Sequence, residues 1–165
     1  MAGQPLIFRG QGFSLQRDKN RFVLPVPFRG VLKELSEGLT VCFNKHERWP
    51  CLKGYGLNSV EGFEKQIADE KEAALRLGRD FDEDKRASEL YSDFQAPFDT
   101  SGRFVMPEDC VSLADLGDEL FFLGGGKFFT VWNPEHLYEM DESWDAAKTA
   151  CRNYAERERA KASRK

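Results

Sequence analysis

Hydrophobic residues recur at every second position on both sides of a short charged segment near the start of the chain. Phe13 and Leu15 precede the segment, and Phe22 and Leu24 follow it. A period of two is typical of β-strands that bury one face. The segment between them, residues 17–21, contains three cations. The pattern predicts a β-hairpin with a tight, positively charged turn.

The same succession of residues occurs again in the second half of the chain. Arg-Phe-Val-Leu-Pro at 21–25 aligns with Arg-Phe-Val-Met-Pro at 103–107. In both copies the proline ends the strand, since proline donates no backbone hydrogen bond. A short helix, a strand, a turn and a strand are predicted to follow, and residues 39–41 align with 120–122. Because the match extends through a series of elements, we interpret the chain as a tandem of two related units.

This repeat divides the chain into four parts. We predict a first repeat at residues 7–57, a helical connector at 58–93, a second repeat at 94–137, and a C-terminal helix with a basic tail at 138–165. Near the ends of the two repeats, Tyr55 aligns with Trp132 when a longer turn is allowed in the first. The predicted fold class is α+β, with a β-core built from both repeats and helices that flank it.

The two charged turns share a backbone requirement. Asn20 in the first turn aligns with Gly102 in the second. Glycine adopts a positive φ without steric cost because it has no Cβ, and asparagine is the best tolerated alternative. Both positions are therefore predicted to have a positive φ.

Helical spacing appears in the connector and at the C-terminal end. Asn58 and Ser59 are placed to cap a first helix of the connector, and Asp82 to cap a second helix that follows a break. Trp144, Cys151 and Tyr154 form an apolar stripe that is expected to pack on the rest of the fold. Beyond Tyr154 the sequence has no apolar face, so the helix is expected to fray there.

Charge is distributed unevenly along the 165 residues, although the net charge is only −4. Residues 1–35 hold six Lys/Arg and two Asp/Glu, a net charge of +4, and residues 151–165 hold the same numbers. The stretch between them carries −12. An acidic total argues against a protein that coats nucleic acid indiscriminately, but it is compatible with a local basic site. The C-terminal cations are interpreted as a solvated tail.

The sequence gives little indication of a metal site, a cofactor or a catalytic site. Cys42, His46 and Cys51 lack the fourth ligand that a structural zinc site requires, so no metal is predicted. His46 and His136 belong to no recognisable nucleophile motif, and we expect a protein that is not an enzyme and has no cofactor. The cysteines form no CxxC pair, and no apolar run approaches the roughly 20 residues of a membrane helix. A cytoplasmic protein without a membrane partner is predicted.

Several motifs together resemble the MraZ family of bacterial transcriptional regulators, which contain two SpoVT–AbrB-type repeats. These are Phe-Arg-Gly at 8–10, the two charged turns, Gly124 after Phe-Phe-Leu, and Val-Trp-Asn-Pro at 131–134. The resemblance covers roughly residues 7–140 and omits the basic tail. It implies a swapped-hairpin β-core with a pseudo-two-fold repeat.

The most specific shared element is a repeated Asp-x-x-x-Arg motif at the charged turns. Asp99 and Arg103 match it in the second copy. In the first copy Arg21 matches, but Arg17 occupies the aspartate position and Asn20 the usual glycine position. The first turn is therefore expected to differ from the second in its Asp–Arg contact.

Function is also implied by this resemblance. The family forms rings of protomers that bind closely spaced short repeats in double-stranded promoter DNA, upstream of the division and cell-wall gene cluster, and usually repress it. A homo-oligomer associated with the nucleoid is expected, with no catalytic residue and no cofactor.

The candidate DNA-binding residues are the cations of the two turns and their neighbours: Arg9, Arg17, Lys19, Arg21, Asp99 and Arg103. Two-stranded ribbons fit the major groove, where arginine donates two hydrogen bonds to guanine. The carboxylate of Asp99 is expected to orient Arg103, whereas Arg17 is expected to contact phosphate. Surface salt bridges alone would also account for Arg21 and Arg103.

An alternative function is an antitoxin-like or scaffold module that binds a protein through the same fold. Such a module needs an exposed apolar surface, which the sequence would place on the C-terminal helix. DNA binding instead requires the cations of the two turns.

Overall fold

Residues 6–164 are described by the computed structural model, and they form a mixed α+β fold, as predicted. The strands are β1 (Gln11–Leu15), β2 (Arg21–Val23), β3 (Thr40–Lys45), β4 (Leu52–Tyr55), β5 (Phe94–Pro97), β6 (Arg103–Val105), β7 (Glu119–Gly124) and β8 (Phe129–Trp132). The α-helices are α1 (Val26–Ser36), α2 (Phe63–Arg76), α3 (Glu83–Tyr91), α4 (Glu108–Leu113), α5 (Pro134–Tyr138) and α6 (Asp145–Ser163). Two 3₁₀ helices span Leu57–Gly62 and Glu142–Trp144.

Strands from the two halves of the chain pair with one another. Six form an antiparallel sheet in the order β1-β7-β8-β4-β3-β5, and β2 pairs with β6 in a separate two-stranded sheet. Exchanging each strand of the first half for its counterpart in the second gives the same two orders read from the opposite edge. The strand order is therefore symmetric about the β4–β8 pair. The boundaries of the predicted repeats and of the connector stay a prediction.

The correspondence between β3 and β7 corrects the sequence alignment. Cys42 lies opposite Tyr55, and Phe121 lies opposite Trp132, so Tyr55 and Trp132 do correspond. The same registers make Val41 equivalent to Leu120, two residues from the position given by the alignment of 39–41 with 120–122. That part of the alignment was wrong, because α1 has 11 residues and α4 only six. A shift of two residues keeps the same strand face buried, so the hydrophobic pattern does not reveal it.

The main core lies between one face of the six-stranded sheet and the β2–β6 pair with α1 and α4. Its largest buried side chains include Phe8, Phe22, Phe28, Phe43, Phe104, Phe122 and Phe129. On the other face, α2 and α3 pack over Cys42 and Tyr55, and α5 and α6 pack over Phe121 and Trp132. The sheet is therefore covered on both faces, and the β2–β6 pair forms an outer layer.

Of the helix ends predicted in the connector, one is confirmed and one is wrong. Asn58 and Ser59 do not cap α2, because they lie inside the 3₁₀ helix Leu57–Gly62 and α2 begins after Gly62 without a side-chain cap. Asp82 accepts a hydrogen bond from the backbone of Lys85 and caps α3, as predicted. The expected fraying after Tyr154 was wrong, because α6 continues to Ser163. Ala155 is buried there, and the guanidinium of Arg159 donates two hydrogen bonds, of 2.5 and 2.6 Å, to the carboxylate of Glu119. Lys165, in the predicted tail, lies outside the described residues.

No helix within residues 6–164 is long and apolar enough to cross a membrane.

Candidate nucleic-acid interface

Strands β2 and β6 form a short antiparallel pair, which we call the ribbon. Phe22 lies opposite Phe104, and the two rings are 6.4 Å apart in the main core. Each ring contributes about 1.5–3 kcal/mol to stability through its burial. Successive side chains point to opposite faces of a strand, so the residues that flank the two rings face outward. The ribbon thus has one face fixed in the core and one face toward solvent.

Both arginines of the repeated motif lie on this outward face. Arg21 lies opposite Val105, and Arg103 lies opposite Val23. The two arginines are diagonal neighbours, which places their Cα atoms about 7–8 Å apart in ordinary antiparallel geometry. Sequence reasoning placed them on two separate β-hairpins, which was wrong, because β2 pairs with β6 and not with β1. It therefore missed that the two arginines share one surface. Pairing between strands some 80 positions apart has no local signal.

The two charged turns lie at opposite ends of the ribbon. The first turn is residues 17–20 and the second is residues 99–102. Leu24 donates a backbone hydrogen bond to the carbonyl of Gly102 (2.8 Å), and Met106 donates one to the carbonyl of Asn20 (2.7 Å). Gly102 and Asn20 have φ values of 84° and 59°, which confirms the predicted positive φ at both positions. Each turn is therefore fixed to the strand from the other half.

In the second turn, Asp99 binds the turn backbone and the Arg103 side chain at once. One carboxylate oxygen accepts hydrogen bonds from the backbone N–H groups of Ser101 (3.0 Å) and Arg103 (2.9 Å). The other accepts one from Nε of Arg103 (2.7 Å). These hydrogen bonds from Arg103 lower the pKa of Asp99, so its carboxylate stays ionised at neutral pH. The Nη groups of Arg103 remain as donors, on a guanidinium whose orientation is restricted.

The first turn has the same backbone closure with different side chains. The backbone N–H of Arg17 donates to the carbonyl of Arg21 (2.9 Å), as that of Asp99 donates to the carbonyl of Arg103 (3.0 Å). Arg17 therefore occupies the position of Asp99, as the motif predicted. Its side chain is exposed, and a cation there cannot orient a neighbouring arginine.

A different carboxylate lies near Arg21. Oδ2 of Asp18 is 4.0 Å from Nε of Arg21, which makes an ion pair but no hydrogen bond. Gln16 takes over part of the capping role of Asp99, since its side-chain oxygen accepts a hydrogen bond from the backbone of Asn20 (2.7 Å). Arg21 is consequently held more loosely than Arg103. The motif did not predict Asp18 as the partner of Arg21, because Asp18 follows the expected aspartate position by one residue.

Lys19 forms an ion pair with a residue of the second half. Its Nζ lies 3.2 Å from the carboxylate of Glu108, the first residue of α4, and both side chains are largely exposed. Such a pair contributes less than about 1 kcal/mol and can open when a stronger partner arrives. Glu108 partly neutralises the first turn, and the sequence analysis missed it because the contact joins the two halves.

Arg29 is a further cation beside the second turn that the sequence analysis missed. It lies in α1, and its Nε donates a hydrogen bond to the carbonyl of Leu24 (2.9 Å). A Cβ added to Gly102 would lie only 2.2 Å from this Nε, so the guanidinium packs directly on the glycine. Comparison of the two repeats does not reveal this contact, because the position equivalent to Arg29 in the second repeat is Val111, which carries no charge.

Arg9 is not part of this surface. Phe8 forms a bridge with Gly126, and Gly124 donates a backbone hydrogen bond to Gly10, so Arg9 lies at the turn between β7 and β8. The whole of β1 separates it from the first turn, a distance of about 17 Å for five strand residues. The structure brings together the other predicted residues but leaves Arg9 at the far end of β1.

Metal ligands do not assemble around the cysteines. Cys42 packs with Tyr55 under α2, whereas Cys51 packs with Trp132 in the cluster under α6. Burial raises the pKa of both thiols to about 12, so they are neutral at physiological pH. Within residues 6–164 there is no group of three or more side chains placed to hold a metal ion.

A groove of about 1300 Å³ lies on the opposite side of the sheet, lined mainly by β3, β4, α2 and α3. Several of its charged side chains bind one another. The guanidinium of Arg86 donates hydrogen bonds to the carboxylates of Glu70 (2.7 Å) and Glu47 (2.5 Å). These contacts join both helices to the β3–β4 turn. They support the connector, and the ribbon stays the candidate site.

Comparison with known proteins gives a consistent result. No protein-family model matches the chain. It is 32% identical over 120 residues to a protein named transcriptional regulator MraZ from Rhodospirillum rubrum, covering 72% of this chain and 74% of that protein. It is 30% identical over 140 residues to one of the same name from Gluconobacter oxydans, covering 83% and 80%. A third, from Ruegeria sp., is 28% identical over 151 residues, covering 86% and 85%.

Proposed function

The chain belongs to the MraZ family of transcriptional regulators, and from this premise we propose that it binds double-stranded promoter DNA sequence-specifically through the outward face of the ribbon. The observation that carries the proposal is the shared face of Arg21 and Arg103. Both side chains are exposed, and both belong to strands whose other face is fixed in the core.

The ribbon has the shape that the major groove admits. A two-stranded β-ribbon fits this groove, and arginine donates two hydrogen bonds to O6 and N7 of guanine. The separation of about 7–8 Å between the Cα atoms of Arg21 and Arg103 corresponds to about two base-pair steps of 3.4 Å. Two guanines at about that spacing are the proposed targets. Asp99 restricts the Arg103 side chain, so less conformational entropy is lost when this arginine binds.

The turns supply the contacts that do not depend on sequence. Arg17 and Lys19 extend from the first turn at one end of the ribbon. When the ribbon lies in the major groove, this end is next to the DNA backbone. Phosphate contacts of this kind position a protein on the duplex and make its affinity fall with salt. Lys19 exchanges Glu108 for phosphate in this arrangement. Arg9 lies too far along β1 to act with them on the same groove, and we assign it no part in this contact.

Assembly compensates for the limited charge of each protomer. Carboxylates of Asp18, Asp99 and Glu108 lie next to the ribbon cations, so one ribbon alone binds DNA weakly. We propose a homo-oligomeric ring, as the family resemblance implies, that presents several ribbons to closely spaced short repeats. Linked sites gain affinity through their high effective concentration. The proposed target is the promoter of the division and cell-wall gene cluster, with repression as the result, in the cytoplasm and at the nucleoid.

The surface expected for the alternative function, a protein-binding module, packs within the fold. The apolar stripe of α6 was the candidate for such a surface. Trp144, Cys151 and Tyr154 instead pack against Phe121 and Trp132 on the sheet. With this stripe covered, DNA binding is the function that the ribbon geometry supports better.

A titration with two duplexes tests the proposal. One duplex covers the region upstream of the gene that encodes this protein, and the other is a shuffled sequence of the same length and composition. We expect tighter binding to the first at physiological salt, and an affinity that falls steeply as salt rises. Equal affinities for both duplexes would refute sequence-specific binding. Light scattering that shows a monomer at micromolar concentration would refute the ring.

A further inference from the structure

Two valines complete the outward face of the ribbon. Val105 lies directly opposite Arg21, and Val23 lies directly opposite Arg103. Each therefore points to the same side as the arginine across from it. Val105 is 48% exposed although it is a large aliphatic side chain, and Val23 is partly buried. The face is a four-residue pattern in which arginines occupy one diagonal and valines the other.

We propose that Val105 and Val23 recognise the 5-methyl group of thymine in base pairs next to the guanines contacted by Arg21 and Arg103. This inference rests on the proposed function and specifies part of its target sequence. In the major groove, thymine is the base that presents a methyl group, and apolar side chains contact it. An exposed valine on a ribbon in that groove has no polar group to offer to a phosphate or to a base edge.

The cross-strand geometry gives each arginine–valine pair two neighbouring targets. Cβ atoms of directly opposite residues are about 4.5–5.5 Å apart, whereas base pairs are stacked about 3.4 Å apart. When Arg21 reaches a guanine, Val105 therefore lies over an adjacent base pair. The pair formed by Arg103 and Val23 repeats the arrangement at the other end of the ribbon.

Valine suits this role because its side chain is stiff. Two heavy atoms on Cβ restrict χ1, so a valine on a strand loses little rotamer freedom when its surface is covered. Phe22 and Phe104, buried between the two outward pairs, fix the strands that carry the valines. The methyl groups are presented in one orientation before the DNA arrives, and contact with a thymine methyl removes apolar surface from water.

The test uses the upstream duplex in two forms, one with thymine and one in which every thymine is replaced by uracil. Uracil lacks only the 5-methyl group and pairs with adenine in the same way. The proteins are wild type, Val105→Ala, the double variant Val23→Ala/Val105→Ala, and a control, Leu75→Ala, which removes an even more exposed aliphatic side chain from α2. Urea unfolding of each variant ensures that only folded proteins are compared.

Uracil is expected to weaken wild-type and Leu75→Ala binding about fourfold for each thymine methyl that a valine covers. Val105→Ala should lose affinity for the thymine duplex and respond less to uracil, and the double variant should bind both duplexes about equally. A wild type that is indifferent to uracil, or a double variant that keeps the full uracil effect, would overturn the inference while leaving the proposed function intact. If the wild type shows no preference for the upstream duplex over a shuffled one, both fail.

Discussion

Arg103 donates both its backbone N–H and its side-chain Nε–H to one carboxylate, that of Asp99. The same aspartate therefore closes the second turn and orients the arginine that follows it. Arg21, its counterpart on the ribbon, has no such contact, because Asp18 approaches only to 4.0 Å. Two arginines on one face thus differ in how firmly they are held.

Replacing Arg103 with alanine should relax discrimination at one base position. The loss of a bidentate contact to guanine costs about 1–3 kcal/mol for the matched base and little for a mismatched one. Affinities for the upstream duplex and for single-mismatch duplexes measure this. Arg76→Ala, on α2, is the control and should leave both affinities unchanged. Unaltered mismatch discrimination in Arg103→Ala would show that this arginine recognises no base.

Replacing Arg17 with alanine should weaken binding to every sequence alike. Its exposed side chain occupies the aspartate position of the motif and is assigned to phosphate. Removing one phosphate contact reduces the slope of log affinity against log salt by about one unit. A salt series with matched and shuffled duplexes gives both quantities. A change in base preference without a change in slope would contradict the assignment.

Replacing Glu108 with glutamine should strengthen DNA binding. The substitution removes the anion that pairs with Lys19 at 3.2 Å and leaves a side chain of the same shape. Because an exposed pair contributes less than about 1 kcal/mol, the gain should not exceed about fivefold, and it should shrink as salt rises. Glu64→Gln, in the first turn of α2, removes the same charge elsewhere and serves as the control. Equal gains in both variants would point to net charge instead of Lys19.

Replacing Gly102 with alanine should destabilise the fold by about 1–3 kcal/mol or more, because a side chain at positive φ is strained. The new Cβ would also lie 2.2 Å from Nε of Arg29. Gly126→Ala is the matched control, since Gly126 has the same φ of 84° but its Cβ would meet no atom within 4 Å. Urea unfolding of the two variants measures the difference. If both were equally stable, the close packing of Arg29 on the second turn would be wrong.

Local features of the fold could be predicted from sequence. The positive φ of Asn20 and Gly102 follows from residue chemistry, because few residues tolerate that conformation. The cap at Asp82 follows from the preference of carboxylates for helix N-termini. The correspondence of Tyr55 and Trp132 follows from the repeated order of elements.

Contacts between the two halves could not be predicted in the same way. A period of two shows that Phe22 and Phe104 are buried but not that their strands pair, because any strand with one apolar face would fit. The ion pair of Lys19 with Glu108 and the hydrogen bonds of Arg159 to Glu119 join residues distant in sequence, and single charges carry no pairing signal. The ribbon was therefore visible in sequence only as two separate charged turns.

The central claim is that Arg21 and Arg103 act together on one face of the ribbon. The most direct measurement is the ratio of affinities for the upstream and shuffled duplexes, determined for wild type and for the folded double variant Arg21→Ala/Arg103→Ala at the same salt concentration. We expect a large ratio for wild type and a ratio close to one for the double variant, with weak salt-dependent binding retained through the turns. A double variant that keeps the wild-type ratio would contradict the claim.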